Sequence, residues 1–270
     1  MNNLRVLSLF DGISCGLVAL DRAGITVSSY KAYEIDKNAI YISKKNHGDR
    51  IVHLGDICNA SISEPVDLLI GGSPCQGFST AGIMKGLEDP RSRLFWEYIR
   101  ILRECQTVNP NVRFLLENVS MKKEWINVIS TELGVTPICI NSSFVSAQLR
   151  KRLYWANWQI TQPDVVDVKL SDILINTGKG DYVDREKSVC LLASYSKRSY
   201  AQYSKRKMNQ VVLLDNNDSR ALDPIECERL QTLPDNYTSG ISRTARYRVL
   251  GNCWTVDVIS HIFRNLCNGF

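Results

Sequence analysis

Val6-Leu7-Ser8-Leu9-Phe10-Asp11-Gly12-Ile13-Ser14-Cys15-Gly16 passes from an apolar run into a glycine-bearing turn, and Leu17 to Leu20 then resume an apolar pattern that stops at Gly24. Taken in order, these three pieces read as strand, turn and helix. The pattern recurs downstream. Strands fit Ser29–Glu34, Ile51–Leu54, Val66–Ile70, Phe114–Leu116, Pro137–Ile140 and Leu153–Ala156, with helices around Asn38–Asn46 and Trp125–Leu133. Leu94, Phe95, Tyr98, Ile99 and Leu102 recur three or four apart and so share one face of a crossover helix. Strands alternating with helices predict an α/β fold whose sheet is mostly parallel and covered on both faces.

The alternation breaks after Trp158. From there to about Arg220 the chain is polar, with short apolar runs at Leu170–Ile175 and Val211–Leu214. Helical patterns return at Glu226–Leu233 and Val256–Phe263. The expected organisation is a first domain over 1–157, a small lobe over 158–220, and a C-terminal segment, 221–270, returning to the first domain. A chain of 270 residues has room for one large core and such an appendage.

Composition narrows the class. With 44% hydrophobic and 23% charged residues the chain has the makeup of a soluble globular protein, which excludes disordered and collagen-like chains. No apolar run approaches the roughly 18–20 residues needed to cross a bilayer, and Met1-Asn2-Asn3 leads straight into a strand, so an intracellular, cytoplasmic protein is expected. The nine cysteines are odd in number and never spaced CxxC, which argues against a disulfide framework, a zinc ribbon or another metal site. A net charge of +5 is a weak pointer to a polyanion. Its distribution says more: Lys197, Arg198, Lys205, Arg206 and Lys207 interleave with three tyrosines and no acid between Tyr195 and Lys207.

Glycines in the Phe10–Gly16 turn let backbone approach a ligand where a helix N-terminus presents free N–H groups. Glu34, at the end of the second strand, stands where nucleotide-binding sheets often place an acid for ribose hydroxyls. The spacing is not G-x-G-x-x-G, so a dinucleotide is disfavoured, and the turn alone is equally compatible with plain architecture. Asp56 falls at the same sheet edge, where it would line the same crevice or simply cap a helix. The fourth strand runs into Gly71-Gly72-Ser73-Pro74-Cys75-Gln76-Gly77-Phe78-Ser79, a tight turn that would expose Cys75, followed through Arg93 by residues suited to a loop closing over a substrate.

Pro74-Cys75-Gln76 after one apolar strand, Glu117-Asn118-Val119 after the next, Gln148-Leu149-Arg150-Lys151-Arg152 before another, and Gly251-Asn252 before the last helix form an ordered set. In that order they resemble the cytosine-5 DNA methyltransferases, and the similarity covers nearly the whole chain. Leu7 to Ile13 and Arg248 to Val256 are similar to the catalytic domain of animal de novo-type enzymes. Pro74 to Ser79 and Gln148 to Arg152 are closer to the bacterial and phage form, which points to a stand-alone prokaryotic or phage enzyme. The resemblance implies a doubly wound sheet of the S-adenosylmethionine-dependent methyltransferase type with a small target-recognition lobe.

The chemistry of that family needs these residue types. Carbon 5 of cytosine attacks a sulfonium methyl only after a thiolate adds to carbon 6, and the resemblance assigns that thiolate to Cys75. A helix N-terminus and nearby Arg150 or Arg152 would favour the thiolate. Glu117 would act on ring nitrogen 3, Asn118 would orient the loop, and Arg152 would contact the cytosine carbonyl. For the cofactor, Phe10, Asp11, Gly12 and Gly16 would take the methionine and adenosyl parts and Glu34 the ribose. Ile35, Asp56 and Ile57 would face the adenine, and Pro74, Leu94, Asn252 and Trp254 would close the methionine side. Cys15 and Trp254 stand where many bacterial relatives carry smaller residues.

A base stacked in duplex DNA must flip out to reach Cys75. The polar lobe is then the target-recognition region, with Lys197, Arg198, Lys205, Arg206 and Lys207 on phosphates or a guanine, and Gln76 and Ser79 also against DNA; the bland alternative is a solvated basic surface. A tRNA-modifying branch of the family carries Cys-Phe-Thr, absent here, and amino-methylating enzymes need an Asn- or Asp-Pro-Pro-aromatic motif, also absent. An inactive DNA-binding accessory protein would be expected to have lost the nucleophile or the acid. The sequence accommodates a monomer or a homodimer, with the Phe95-Trp96 helix as a candidate contact surface.

Overall fold

The computed structural model describes residues 3–74, 93–175, 180–195, 210–214 and 219–267. Strands β1 (Leu4–Leu9), β2 (Val27–Tyr33), β3 (Ile51–Gly55), β4 (Leu68–Gly71), β5 (Arg113–Val119), β6 (Ile138–Asn141) and β7 (Lys151–Ala156) form one sheet. Its order is β3-β2-β1-β4-β5-β7-β6. The pairs β1–β2, β2–β3, β1–β4 and β4–β5 are parallel, and β7 runs antiparallel to β5. Helices α1 (Cys15–Arg22) and α2 (Lys37–His47) carry the chain outward from β1 to β3. The chain then returns to place β4 beside β1, and this reversal makes the carboxyl ends of β1 and β4 a topological switch point, where open α/β sheets collect ligands.

The central strands β4 and β5 are buried almost end to end, as expected of parallel strands covered on both faces. Helix α3 (Arg93–Val108) packs Phe95, Tyr98, Ile99, Ile101, Leu102 and Cys105 into this core, close to the periodic face read from sequence. Leu94 is only partly buried against it. Phe95 faces inward and Trp96 is exposed, since i and i+1 lie on different sides of a helix, so of this pair only Trp96 is open on the helix expected as a candidate contact surface. Helix α4 (Lys123–Leu133) adds Ile129 and Leu133.

Tyr98 is enclosed in this core with a hydroxyl that has no hydrogen-bond partner among the described residues. An unmade buried hydrogen bond costs about 1–3 kcal/mol, so Tyr98→Phe should stabilise the protein by about 1 kcal/mol. A thermal melt of the variant checks this, and a lowered midpoint would contradict it.

The chain divides into two compact units, one of Met1–Ile140, Lys151–Gln162 and Ser260–Phe270, the other of Asn141–Arg150 and Pro163–Ile259. The second unit is thus larger than the expected 158–220 lobe: it takes in 141–150 and most of the C-terminal segment. Buried polar bonds within it give the reason. Ser142 Oγ donates to Thr255 Oγ1 (2.9 Å), Thr255 Oγ1 to Gln231 Oε1 (2.8 Å), and Gln148 Nε2 to the Leu230 carbonyl (3.2 Å). Side-chain amides and hydroxyls pairing across 24, 82 and 113 residues leave no periodic trace in sequence.

This unit carries the antiparallel pair β8 (Val211–Leu213) and β9 (Ser219–Ala221), helix α5 (Pro224–Leu230), and helix α6 (Arg243–Asn252). The final helix, α7 (Val256–Cys267), begins in it. Asp223 and Glu226 close a capping box on α5, which fits the helix expected from Glu226. Helix α6 was not anticipated: RTARYRVLGN has no apolar stripe, and only Ser242, accepting from the Ala245 N–H, marks its start. Two fully buried glutamates are each held by an arginine, Glu226 by Arg220 (2.7 Å) and Glu228 by Arg246 (2.8 Å).

Candidate active site

Four parallel pairings send the ends of β1 to β5 to one edge of the sheet, and the antiparallel β7 starts at that same edge. After β1 the turn alternates left-handed positions at Phe10 (φ 58°), Gly12 (φ 60°) and Ser14 (φ 63°). For Phe10 and Ser14 this conformation costs about 1–2 kcal/mol each. Bonds around the turn hold it: Asp11 N–H to the Tyr33 carbonyl (3.1 Å), Ser14 N–H to the Asp11 carbonyl (3.1 Å), and Gly12 N–H to Glu34 Oε2 (2.8 Å). Asp11 turns inward, taking the Tyr30 hydroxyl on Oδ1 (2.7 Å) and the Ser14 hydroxyl on Oδ2 (2.5 Å). Burial pushes its carboxyl above the usual range, while the hydroxyls of Ser14, Ser8 and Tyr30 draw it back down.

Glu34 follows β2 and accepts from the N–H groups of Ile35 and Asp36, each 2.8 Å from Oε1. With Gly12 on the other oxygen, three of about four lone-pair positions are occupied and one is left for a hydroxyl. Beside it Ile35 is 70% exposed, a large apolar side chain displayed at a polar edge. Asp56 caps the 3-10 turn Ile57–Asn59 by accepting from Cys58 N–H (2.9 Å), and the Ile57 side chain is packed in the core. Gly16 is buried within α1.

Glu117 and Arg152 come together. In the β5–β7 ladder Val119 pairs with Arg152 and Glu117 with Tyr154, so Arg152 is the diagonal neighbour of Glu117 on one face. Its Nε lies 3.0 Å from Glu117 Oε1, both side chains largely buried. Next to this pair Asn118 is enclosed: its Nδ2 donates to Ser73 Oγ (3.1 Å) and its Oδ1 accepts the Val119 N–H (2.8 Å). The end of β5 is thereby tied to the segment Ser73-Pro74, which immediately precedes Cys75 in the chain. Ser73 stood within the quoted motif, but only its contact with Asn118 reveals its part.

Arg150 belongs to the second unit. Only 4% exposed, its guanidinium donates to the carbonyls of Leu191 (3.2 Å), Gly251 (3.2 Å) and Cys253 (2.9 Å). The two last flank Asn252, which is exposed at the end of α6, while Trp254 is half-buried. Cys75, Gln76, Ser79, Lys197, Arg198, Lys205, Arg206 and Lys207 lie outside the described residues. Sequence reasoning passed over Tyr30, Ser43 and His53, polar residues inside otherwise ordinary elements that connect to the Asp11 turn. Among the described residues no cluster of His, Cys, Asp and Glu forms a metal site, and no helix is long and apolar enough to cross a membrane.

The geometry agrees with relationships found by comparison. The model of the C-5 cytosine-specific DNA methylase family matches residues 4–155 and 154–268, and the chain belongs to that family. It is similar to the Type II methyltransferase M.NlaX of Neisseria lactamica, 28% identical over 300 residues that cover 96% of this chain and 94% of the relative. It is also similar to the orphan methyltransferase M.Rho11sI of Bacillus phage rho11s, 38% identical over 167 residues. That match spans 57% of this chain and only 33% of the phage protein. Among solved structures the fold is shared with the Entamoeba histolytica methyltransferase EhMeth (TM-score 0.78, 18% identity, 99% of both chains). It is shared too with a putative DNA modification methyltransferase encoded in an E. coli prophage (TM-score 0.71, 21% identity, 99% of both chains). These neighbours bear out the expected mostly parallel sheet, a fold shared with solved methyltransferases.

Proposed function

We propose that this protein transfers a methyl group from S-adenosylmethionine to carbon 5 of a cytosine flipped out of duplex DNA, through a covalent adduct with Cys75. The observation that carries the reading is the Glu117–Arg152 pair, set beside the Asn118–Ser73 link that leads to Cys75. A carboxyl group and a guanidinium side by side at a ligand-collecting sheet edge suit a pyrimidine, whose ring nitrogen 3 and carbonyl are adjacent. The residues of the turn also fit the cofactor: Gly12 permits close approach, Glu34 retains acceptor capacity for a ribose hydroxyl, and Ile35 offers an exposed apolar face for a purine. When bound, S-adenosylmethionine supplies an electrophilic methyl.

In this reading Cys75 adds to carbon 6 and raises electron density at carbon 5, and Glu117 hydrogen-bonds or protonates nitrogen 3 as negative charge builds in the ring. Arg152 orients Glu117 and meets the carbonyl. After transfer, loss of the carbon 5 proton and expulsion of the Cys75 thiolate restore the enzyme. Asn118 holds the Ser73-Pro74 approach to the nucleophile. The carbonyl contacts of Arg150 support a holding part for that residue rather than contact with the base. Asp56 and Ile57 would meet the adenine through backbone and the capped turn. Pro74, Leu94, Asn252 and Trp254 keep the methionine-side roles implied by the resemblance, and the basic residues between Lys197 and Lys207, with Gln76 and Ser79, remain the proposed DNA contacts. The cytoplasm, where DNA and cofactor meet in a prokaryotic or phage-infected cell, is the proposed location.

Methyl-labelled cofactor incubated with the purified protein should label duplex DNA and leave transfer RNA unlabelled. Bisulfite sequencing of DNA from expressing cells should then show 5-methylcytosine in a short fixed context. A folded preparation that leaves duplex DNA unmodified overturns the reading, and label in transfer RNA alone would redirect it to an RNA substrate.

A further inference from the structure

A buried polar chain runs from β3 to the Asp11 turn. Ser14 Oγ donates to Asp11 Oδ2 (2.5 Å), Ser14 Oγ lies 2.7 Å from Ser43 Oγ, and Ser43 Oγ lies 3.2 Å from His53 Nε2. Ser14 and Ser43 are completely buried. Although Ser14 precedes α1, its hydroxyl caps none of the helix N–H groups; it faces Asp11 instead.

Proton counting gives the chain a direction. A hydroxyl has one proton and a carboxylate only accepts. With the Ser14 proton on Asp11, the Ser43 proton must go to Ser14, and Ser43 is left as acceptor for an N–H at His53 Nε2. A second observation agrees: His53 Nδ1 is buried without a partner among the described residues, which suits a bare acceptor nitrogen better than an N–H.

We propose that Ser14, Ser43 and His53 are positioning residues for the cofactor, a one-directional hydrogen-bonded chain that pins Asp11 and thereby keeps the Phe10-Asp11-Gly12 backbone in its ligand-receiving shape. The proposal rests on the reading of that turn as the S-adenosylmethionine site. The turn needs such a prop, because Phe10, Gly12 and Ser14 are all left-handed and the Asp11 carboxylate, bonded to the Ser14 and Tyr30 hydroxyls, anchors the turn through its side chain. Burial and Lys44 on α2 favour the uncharged imidazole, against the pull of Glu34 at the end of β2. The neutral ring is the form the chain requires.

With three histidines in the sequence, the ring of His53 can be assigned by 15N NMR. At pH 7 it should be neutral, with the proton on Nε2; a proton on Nδ1, or a charged ring, overturns the chain. S-adenosylhomocysteine binding by calorimetry tests the consequence. His53→Gln keeps an N–H where Nε2 stood and should bind within about twofold of wild type, whereas His53→Leu and Ser43→Ala should bind about tenfold more weakly. At saturating cofactor all three should turn over at nearly the wild-type kcat, because none touches a reacting atom. Equal losses for Gln and Leu, or unchanged affinity in Leu and Ala variants that melt like wild type, overturn the positioning role. Failure of folded wild type to bind S-adenosylhomocysteine overturns the cofactor reading itself and this role with it, whichever tautomer His53 carries.

Discussion

Replacing Cys75 by serine should reduce methyl transfer by a factor on the order of 10⁴ or more, while cofactor and duplex still bind. A serine hydroxyl ionises far less readily than a thiol, and in the proposed reading Glu117, 3.0 Å from Arg152, serves the base rather than deprotonating a neighbour. Without the adduct at carbon 6, carbon 5 lacks the electron density to attack the methyl. Glu117→Gln should be less severe, about 10²–10⁴ in kcat, because it removes an acid and leaves the nucleophile. Single-turnover transfer of a labelled methyl group separates the two effects from binding. A Cys75→Ser enzyme that retains a tenth of wild-type activity would take the nucleophile's role from Cys75, and one weakened in step with Glu117→Gln would break the proposed division of labour.

Gly251→Ala should be the most destabilising single methyl added to the second unit. A Cβ at Gly251 would stand 2.2 Å from the Ala193 nitrogen, 2.4 Å from the Leu192 carbonyl carbon and 2.5 Å from the Ala193 Cα. All three are backbone atoms, so no side chain can rotate away, and either α6 or the 192–193 segment must shift. Overpacking usually costs about 1–3 kcal/mol, and a backbone clash this deep belongs at or beyond the upper end. About 3 kcal/mol corresponds to a fall of roughly 6–12 °C in melting temperature for a chain of this size. The shift would also pull the Gly251 and Cys253 carbonyls off the Arg150 guanidinium. A variant melting within about 2 °C of wild type would show that the packing yields more easily than its geometry indicates. The Gly251-Asn252 pair noticed as a motif therefore has a packing reason for its glycine.

The alternating strands and helices of the first 157 residues were legible because central parallel strands are apolar throughout and helices bury one stripe; both leave a period in the sequence. The strand limits moved by one to three residues, as at β5, expected over Phe114–Leu116 and found over Arg113–Val119. The second unit was harder to read. It is held by buried Arg–Glu pairs and by amides that cap carbonyls, and a charged residue pointing inward looks the same in sequence as one pointing to water. Helix α6 illustrates this, with Arg243, Arg246 and Arg248 over a buried Tyr247, Val249 and Leu250.

The sequence by itself determined which residue types the chain carries and in what order along it: a glycine turn, an acid after the second strand, a cysteine after the fourth, an acid and an arginine flanking the fifth and seventh. Only the tertiary structure decided which of these meet. The antiparallel run of β7 brings Arg152 to Glu117 and leaves Arg150 buried on carbonyls, although the two arginines are separated by a single lysine. Extended backbone advances about 3.3 Å per residue, so two residues are enough to carry a side chain from one set of partners to another. That choice is made by the ladder and by which carbonyls lie unpaired nearby, neither of which is written in local sequence.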